Sequence, residues 1–155
     1  MMILPLFSSL PCLFKSKIVW LDALLMNVDR TARNTNMLTW RNELWLIDHG
    51  AALYFHHSGY HWEEQSIRPF TQIKDHVLLS AATKLEETDS IMKAILTPEK
   101  ISSIVAVLPE EWLFDDNEEY TSAEIKEAYS SFLNTRISQS AIFVNEAQHA
   151  RESFV

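Results

Sequence analysis

Glycine is scarce in this chain, and one of only two glycines stands directly behind an acid and a histidine, in Asp48-His49-Gly50. Upstream, Asp29 is followed five positions later by Asn34. The stretch between Asn34 and Asp48 holds two short apolar runs around a polar centre. Residues 36–40 and 44–48 carry the aromatic and aliphatic side chains that suit strands, and Trp40-Arg41-Asn42-Glu43 suits a tight turn. A hairpin here is a strong constraint. It folds the chain back so that Asn34 and Asp48, distant in sequence, face the same small volume.

The surrounding pattern is helical. Residues 18–28 form a predicted helix with Ile18, Leu21, Leu25 and Val28 on one stripe and Leu24 beside it, ending where Asp29 enters a loop. A short helix is expected over 51–57, a loop over 65–69, and helices over 74–79 and 82–96. Thr97-Pro98-Glu99 is a helix start, with a capping hydroxyl, proline in the first turn and an acid at the positive dipole end; that helix ends before Pro109. Thr121 and Glu124 make a capping box for a helix through Arg136, and residues 141–151 close the chain as another helix. The acidic run 115–119 reads as a solvated connector. The fold class is α+β, mainly α, in one domain of 155 residues, with a small β-hairpin beside the loop that carries Asp29.

A hydrophobic fraction of 47% with 22% charged residues belongs to a globular domain. The formal charge of −8 argues against nonspecific binding to nucleic acid or to an anionic membrane, although Arg30, Arg33 and Arg41 cluster near the acidic loop. A single cysteine, Cys12, makes no internal disulfide, which fits a reducing, cytoplasmic compartment. The apolar start, residues 1–14, lacks a basic leader and is interrupted by Pro5 and Pro11. It is too short to span a bilayer, which takes roughly 20 apolar residues. It is expected to be a lead-in packing on the domain.

Asp29, Asn34 and Asp48 are the residue types that phosphoryl transfer requires. That reaction needs an acceptor hydroxyl held in line and metal ions on the phosphates. A carboxylate at Asp29 suits the hydroxyl, orienting it and accepting its proton. An amide oxygen at Asn34 and a carboxylate at Asp48 suit magnesium, which prefers oxygen ligands. Gly50 would let the backbone turn tightly behind Asp48 by taking positive φ. The plain alternative is a turn formed by Asp29 and Asn34, with Asp48 capping the next helix. Asp22, on the helix before Asp29, has two readings: a brace for the loop, or a solvated acid.

Other groupings carry their own alternatives. His49, His56, His57 and His61 read either as a zinc site or as aromatic-rich packing, and the 57/61 pair spans Gly59. Asp75-His76 reads as an acid–base pair without a recognisable nucleophile. Trp40, Trp45 and Tyr54 read as packing rather than as a base-stacking platform.

The segment VWLDALLMNVDRTARNTNML, followed by LWLIDHGAALYFHH, resembles the HipA-like kinase domain of small bacterial proteins, relatives of the serine/threonine kinases of HipA-type toxin–antitoxin systems. The likeness is densest over residues 18–57 and continues more loosely to the last two helices. It implies a protein-kinase-like carboxyl-terminal lobe over residues 18–155, preceded by an unmatched lead-in, residues 1–17. It further implies ATP and Mg2+ as cofactors, Asp29 as the catalytic aspartate, and Asn34 and Asp48 as metal- and nucleotide-binding residues. Arg30, His49, Gly50 and Asp22 are its supporting residues; His49 stands where ordinary protein kinases have phenylalanine. Only seventeen residues precede the catalytic helix, and they contain no glycine. The resemblance therefore implies a catalytic lobe alone, truncated, with a nucleotide-binding lobe supplied by a partner chain or an upstream segment. Otherwise the chain is a non-catalytic remnant that acts as a protein-interaction module. Either way, an uncovered apolar surface is expected near the hairpin and residues 18–25, unless the lead-in folds over it.

Overall fold

The computed structural model describes residues 10–53, 62–113 and 120–154. Helix α1, Cys12–Leu25, is followed by strands β1, Met37–Trp40, and β2, Glu43–Leu46. Then come α2 (Trp62–Ser66), 3-10 turns at Thr71–Asp75 and Leu79–Ala81, α3 (Leu85–Ile95), α4 (Pro98–Ala106), a 3-10 turn at Glu110–Trp112, α5 (Ser122–Ser138) and α6 (Ala141–Glu152). Among the described residues the molecule is mainly helical with one two-stranded antiparallel hairpin, as the sequence implied. No helix among them is long and apolar enough to cross a membrane.

The core is built around α1. Ile18, Val19, Trp20, Ala23 and Leu24 are buried, and α3, α5 and α6 all pack on this helix. Trp20 meets the Phe143 ring edge-on, with centroids 5.4 Å apart, and its indole N–H donates to Asp89 Oδ1 at 2.8 Å. The helix starts at Cys12, six residues before the predicted boundary, and ends three residues earlier. Its end is a Schellman motif without glycine. Met26 takes φ 53°, its N–H donates to the Ala23 carbonyl, and the Asn27 N–H donates to the Asp22 carbonyl at 2.9 Å. A methionine in the left-handed region costs roughly 1 kcal/mol. The packing of α1 offsets that strain, and the chain leaves the helix abruptly toward Asp29.

The hairpin register pairs Met37 with Leu46, Leu38 with Trp45, Thr39 with Leu44 and Trp40 with Glu43. Arg41 and Asn42 both have positive φ, 51° and 62°, the requirement of the two-residue turn whose twist matches the strands. Met37 is buried, and Leu44 and Leu46 lean on the core. The opposite face presents Leu38, Trp40 and Trp45 to solvent, with Ile47 just beyond it also exposed. The expected uncovered apolar surface is therefore on the hairpin. It does not extend over residues 18–25, most of which lie under other helices; among the described large hydrophobic residues near that helix's ends, Phe14 and Val28 are exposed.

Thr97 Oγ1 accepts from the Lys100 N–H with Pro98 in the first turn, and the Thr121–Glu124 capping box forms reciprocally. Both starts lie where the sequence put them. Three segments differ. Gln65 lies in α2 and not in a loop. Residues 74–79 are not a helix, because His76 turns extended to form a bridge with Thr31 and its ring accepts the Leu78 N–H. Helix α3 begins at Leu85 and not at 82, because the Lys84 N–H is tied to Ser16 Oγ on α1. The proposed helix over 51–57 falls mostly outside the described residues, as do His56, His57, His61, Tyr54 and the acidic run 115–119.

Candidate phosphotransfer site

The loop after α1 is held by its own polar side chains. The Asn27 amide donates to Asp22 Oδ1 at 2.8 Å, and Asn27 Oδ1 accepts the Asp29 N–H at 3.2 Å. Thr31 closes the loop: its N–H donates to the Asn34 carbonyl at 2.9 Å, and its hydroxyl accepts the Asn34 N–H at 3.3 Å. This geometry turns Asn34 toward Asp29, so that Asn34 Nδ2 donates to Asp29 Oδ2 at 3.1 Å. Asp29 is half-buried and Asn34 exposed.

Beneath the loop lies a buried charge network. Arg30, 1% exposed, donates through Nε to Asp22 Oδ2 at 2.5 Å and through Nη2 to Asp22 Oδ1 at 3.3 Å. Its Nη1 donates to the Asn36 carbonyl at 2.5 Å, and its Nη2 lies 3.2 Å from His49 Nε2. His76 completes the set. Its Nδ1 accepts the Leu78 N–H at 3.0 Å, so the proton sits on Nε2 and points at Asp22 Oδ2, 2.9 Å away. Burial alone would push the Asp22 carboxyl up. Hydrogen bonds from His76, Arg30 and Asn27 outweigh it and hold the group below the usual carboxylate range. Asp22 is thus a brace. His76 is partnered by Asp22, 54 residues away in sequence, and not by its neighbour Asp75.

Asp48 reaches the site from the far end of the hairpin. It is exposed, and among the described residues its carboxylate accepts no hydrogen bond. It also carries the positive φ, 52°, that the sequence assigned to Gly50. Aspartate tolerates the left-handed region better than most side chains, so the reversal falls on the acid itself. A Cβ at Gly50 would lie 3.5 Å from Asp48 Oδ1, an ordinary contact. Asp29 and Asn34 touch directly, whereas among the described residues Asp48 itself meets them through its backbone carbonyl, 3.5 Å from the Asn36 amide that also bonds Asp29. Sequence reasoning missed Asn36; its closeness to Asn34 and the need for a residue at ease with positive φ (45°) before the strand were the available signals.

No match emerged from comparison with curated proteins or with solved structures. The family model for HipA-like kinases, in contrast, matches residues 4–142, nearly the whole chain, and on that match this protein belongs to the HipA-like kinase family.

Proposed function

We propose that this chain is the catalytic lobe of an ATP-dependent phosphotransferase that moves the γ-phosphate to a hydroxyl, such as a protein serine or threonine. The observation that carries the reading is the 3.1 Å bond between Asn34 and Asp29, with one amide linking Asp29 to the Asp48 loop. Asp29 orients the acceptor hydroxyl and takes its proton. Its Oδ2 is held by two amides, which leaves Oδ1 for the acceptor.

Asn34 and Asp48 fit a magnesium site. With Nδ2 engaged by Asp29, the Asn34 amide oxygen remains as a hard donor, and the exposed Asp48 carboxylate has no partner among the described residues. Magnesium takes few protein ligands and leaves the rest to phosphates and water, so two such donors suffice for this reading. When bound, the ion supplies neutralisation of charge on the transferring phosphate.

The exposed hairpin face argues for a second body. Leu38 at 39%, Trp40 at 60% and Trp45 at 49% exposure form an apolar patch on the outer face of the hairpin. A nucleotide-binding lobe, from a partner chain or an upstream segment, covers it in the working enzyme, and the lone cysteine, Cys12, fits a cytoplasmic location. The same patch supports a second reading, in which the lobe has lost catalysis and serves as a protein-interaction module. Wild type is expected to bind a hydrophobic dye, and the double variant Trp40→Ser/Trp45→Ser to bind less; a wild type blind to the dye speaks against an uncovered face.

Thermal denaturation with Mg-ATP tests the catalytic reading. Ligand at about 100 times its dissociation constant stabilises a fold by roughly 2.7 kcal/mol. A shift that needs magnesium and disappears in Asp48→Ala is expected. No shift at any nucleotide concentration, in the presence of partner as well as alone, favours the interaction module.

A further inference from the structure

The two acidic loops of the proposed site meet at a single nitrogen. Asn36 Nδ2 lies 3.0 Å from the Asp29 carbonyl oxygen, 3.2 Å from Asp29 Oδ2 and 3.5 Å from the Asp48 carbonyl oxygen. All three neighbours only accept, so the amide has one orientation, with nitrogen toward the loops and oxygen away. The residue is 8% exposed. Its backbone is pinned from behind, where its carbonyl accepts from Arg30 Nη1 at 2.5 Å and from the Ile47 N–H at 2.9 Å. A buried donor is therefore held rigid, with its two hydrogens toward the two Asp29 oxygens and the Asp48 carbonyl a longer, shared contact.

From this we infer that Asn36 is a positioning residue of the site. It keeps the Asp29 carboxylate in one rotamer and ties it to the loop that carries Asp48. The Asp29 carboxylate is thereby held beside the backbone of the Asp48 loop before nucleotide or metal arrives. Asn34 bonds the same carboxylate oxygen, but it is exposed and its bond competes with water. Asn36 is shielded from that competition, and through Arg30 it transmits the rigidity of the buried Asp22 network to the reacting carboxylate. The inference rests on the roles proposed for Asp29 and Asp48.

Asn36→Gly separates side chain from backbone. It removes the amide while keeping a residue at ease with φ 45°, so no strain is introduced. Two readouts are taken on the full chain. Three-bond NMR couplings to Asp29 Cγ report its rotamer: a single rotamer in wild type and averaging in Asn36→Gly, measured well below the lowered thermal midpoint of the variant, are expected. An Asp29 rotamer that stays single in the variant overturns the proposal. Manganese binding, followed by electron paramagnetic resonance as a probe of the magnesium site, is expected to weaken about tenfold, the usual scale for loss of a residue that orients a ligand. Equal affinity in the two proteins overturns the link to Asp48. A wild type that binds no manganese defeats the metal reading, while the couplings still decide what Asn36 does to Asp29. Should Asn36→Gly fail to fold, Asn36→Ser, too short to reach all three oxygens, is read by the same couplings.

Discussion

Replacing Asp22 with alanine is expected to destabilise the fold by about 3–5 kcal/mol, the usual result of leaving a buried partner charge uncompensated. Asp22 and Arg30 are both without side-chain exposure, and the guanidinium has no other acid among the described residues. The carboxylate also receives Asn27 and His76, so its loss takes a partner from three donor side chains at once. Against a total of roughly 5–15 kcal/mol for a domain, that is a large share. Urea denaturation of Asp22→Ala, Arg30→Met and the double variant measures it. The double variant should be clearly more stable than the sum of the two singles predicts, because removing both charges leaves none stranded. A loss under about 1 kcal/mol in Asp22→Ala would mean that the acid is solvated.

The same residue sets an acid limit. Its carboxyl is depressed in the folded state, so its contribution is fully present above the unfolded value of about 4 and is lost as pH falls through the folded value. Wild-type stability should therefore drop below about pH 4, and Asp22→Asn should flatten that dependence while lowering stability at neutral pH. A variant with wild-type acid sensitivity would assign the drop to other carboxylates.

Arg136→Ala is the second large effect, expected to cost on the order of 4 kcal/mol through orphaned buried carbonyls and a lost side-chain volume. Its guanidinium donates to the Ala23 and Leu24 carbonyls at 2.7 and 2.9 Å, at the end of α1, and to the Ser66 and Arg68 carbonyls at 3.2 and 3.1 Å, at the end of α2. Among the described residues no carboxylate pairs with it; carbonyls from the last turn of α1, from the end of α2 and from Arg68 just beyond converge on one cation. Phe132 and Phe143 flank it, with ring centroids 5.7 and 5.0 Å from Cζ. Burial lowers its pKa to about 10, which still leaves it charged at neutral pH. A lysine is a single point donor and cannot span both helix ends, so Arg136→Lys should recover less than half of the loss. Because the Ala23 and Leu24 carbonyls lie just before the loop of Asp29, hydrogen exchange in Arg136→Ala should rise first at residues 26–36. Uniform exchange across the chain would mean that Arg136 supports the fold without a preferred tie to the site.

What the sequence determined by itself was local. The helix starts at Thr97 and Thr121, the two-residue turn at Arg41-Asn42 and the acid–amide spacing of Asp29 and Asn34 each depend on neighbours a few positions away. Side-chain caps, turn dihedrals and short loops are fixed at that range, so pattern reading finds them. Tertiary structure decided the rest. Whether Asp22 was a brace or a solvated acid depended on His76, and Arg136 reads as an ordinary helix-end cation until it meets Ala23, 113 residues away. His76 gave up a local helix for the bridge to Thr31, and Asp48 took the reversal that glycine suggested for its neighbour. A one-dimensional pattern gives polar side chains the same weight in water and in the core. Only packing removes the water, and with it the freedom of Asp22, Arg30, Asn36 and Arg136 to choose other partners.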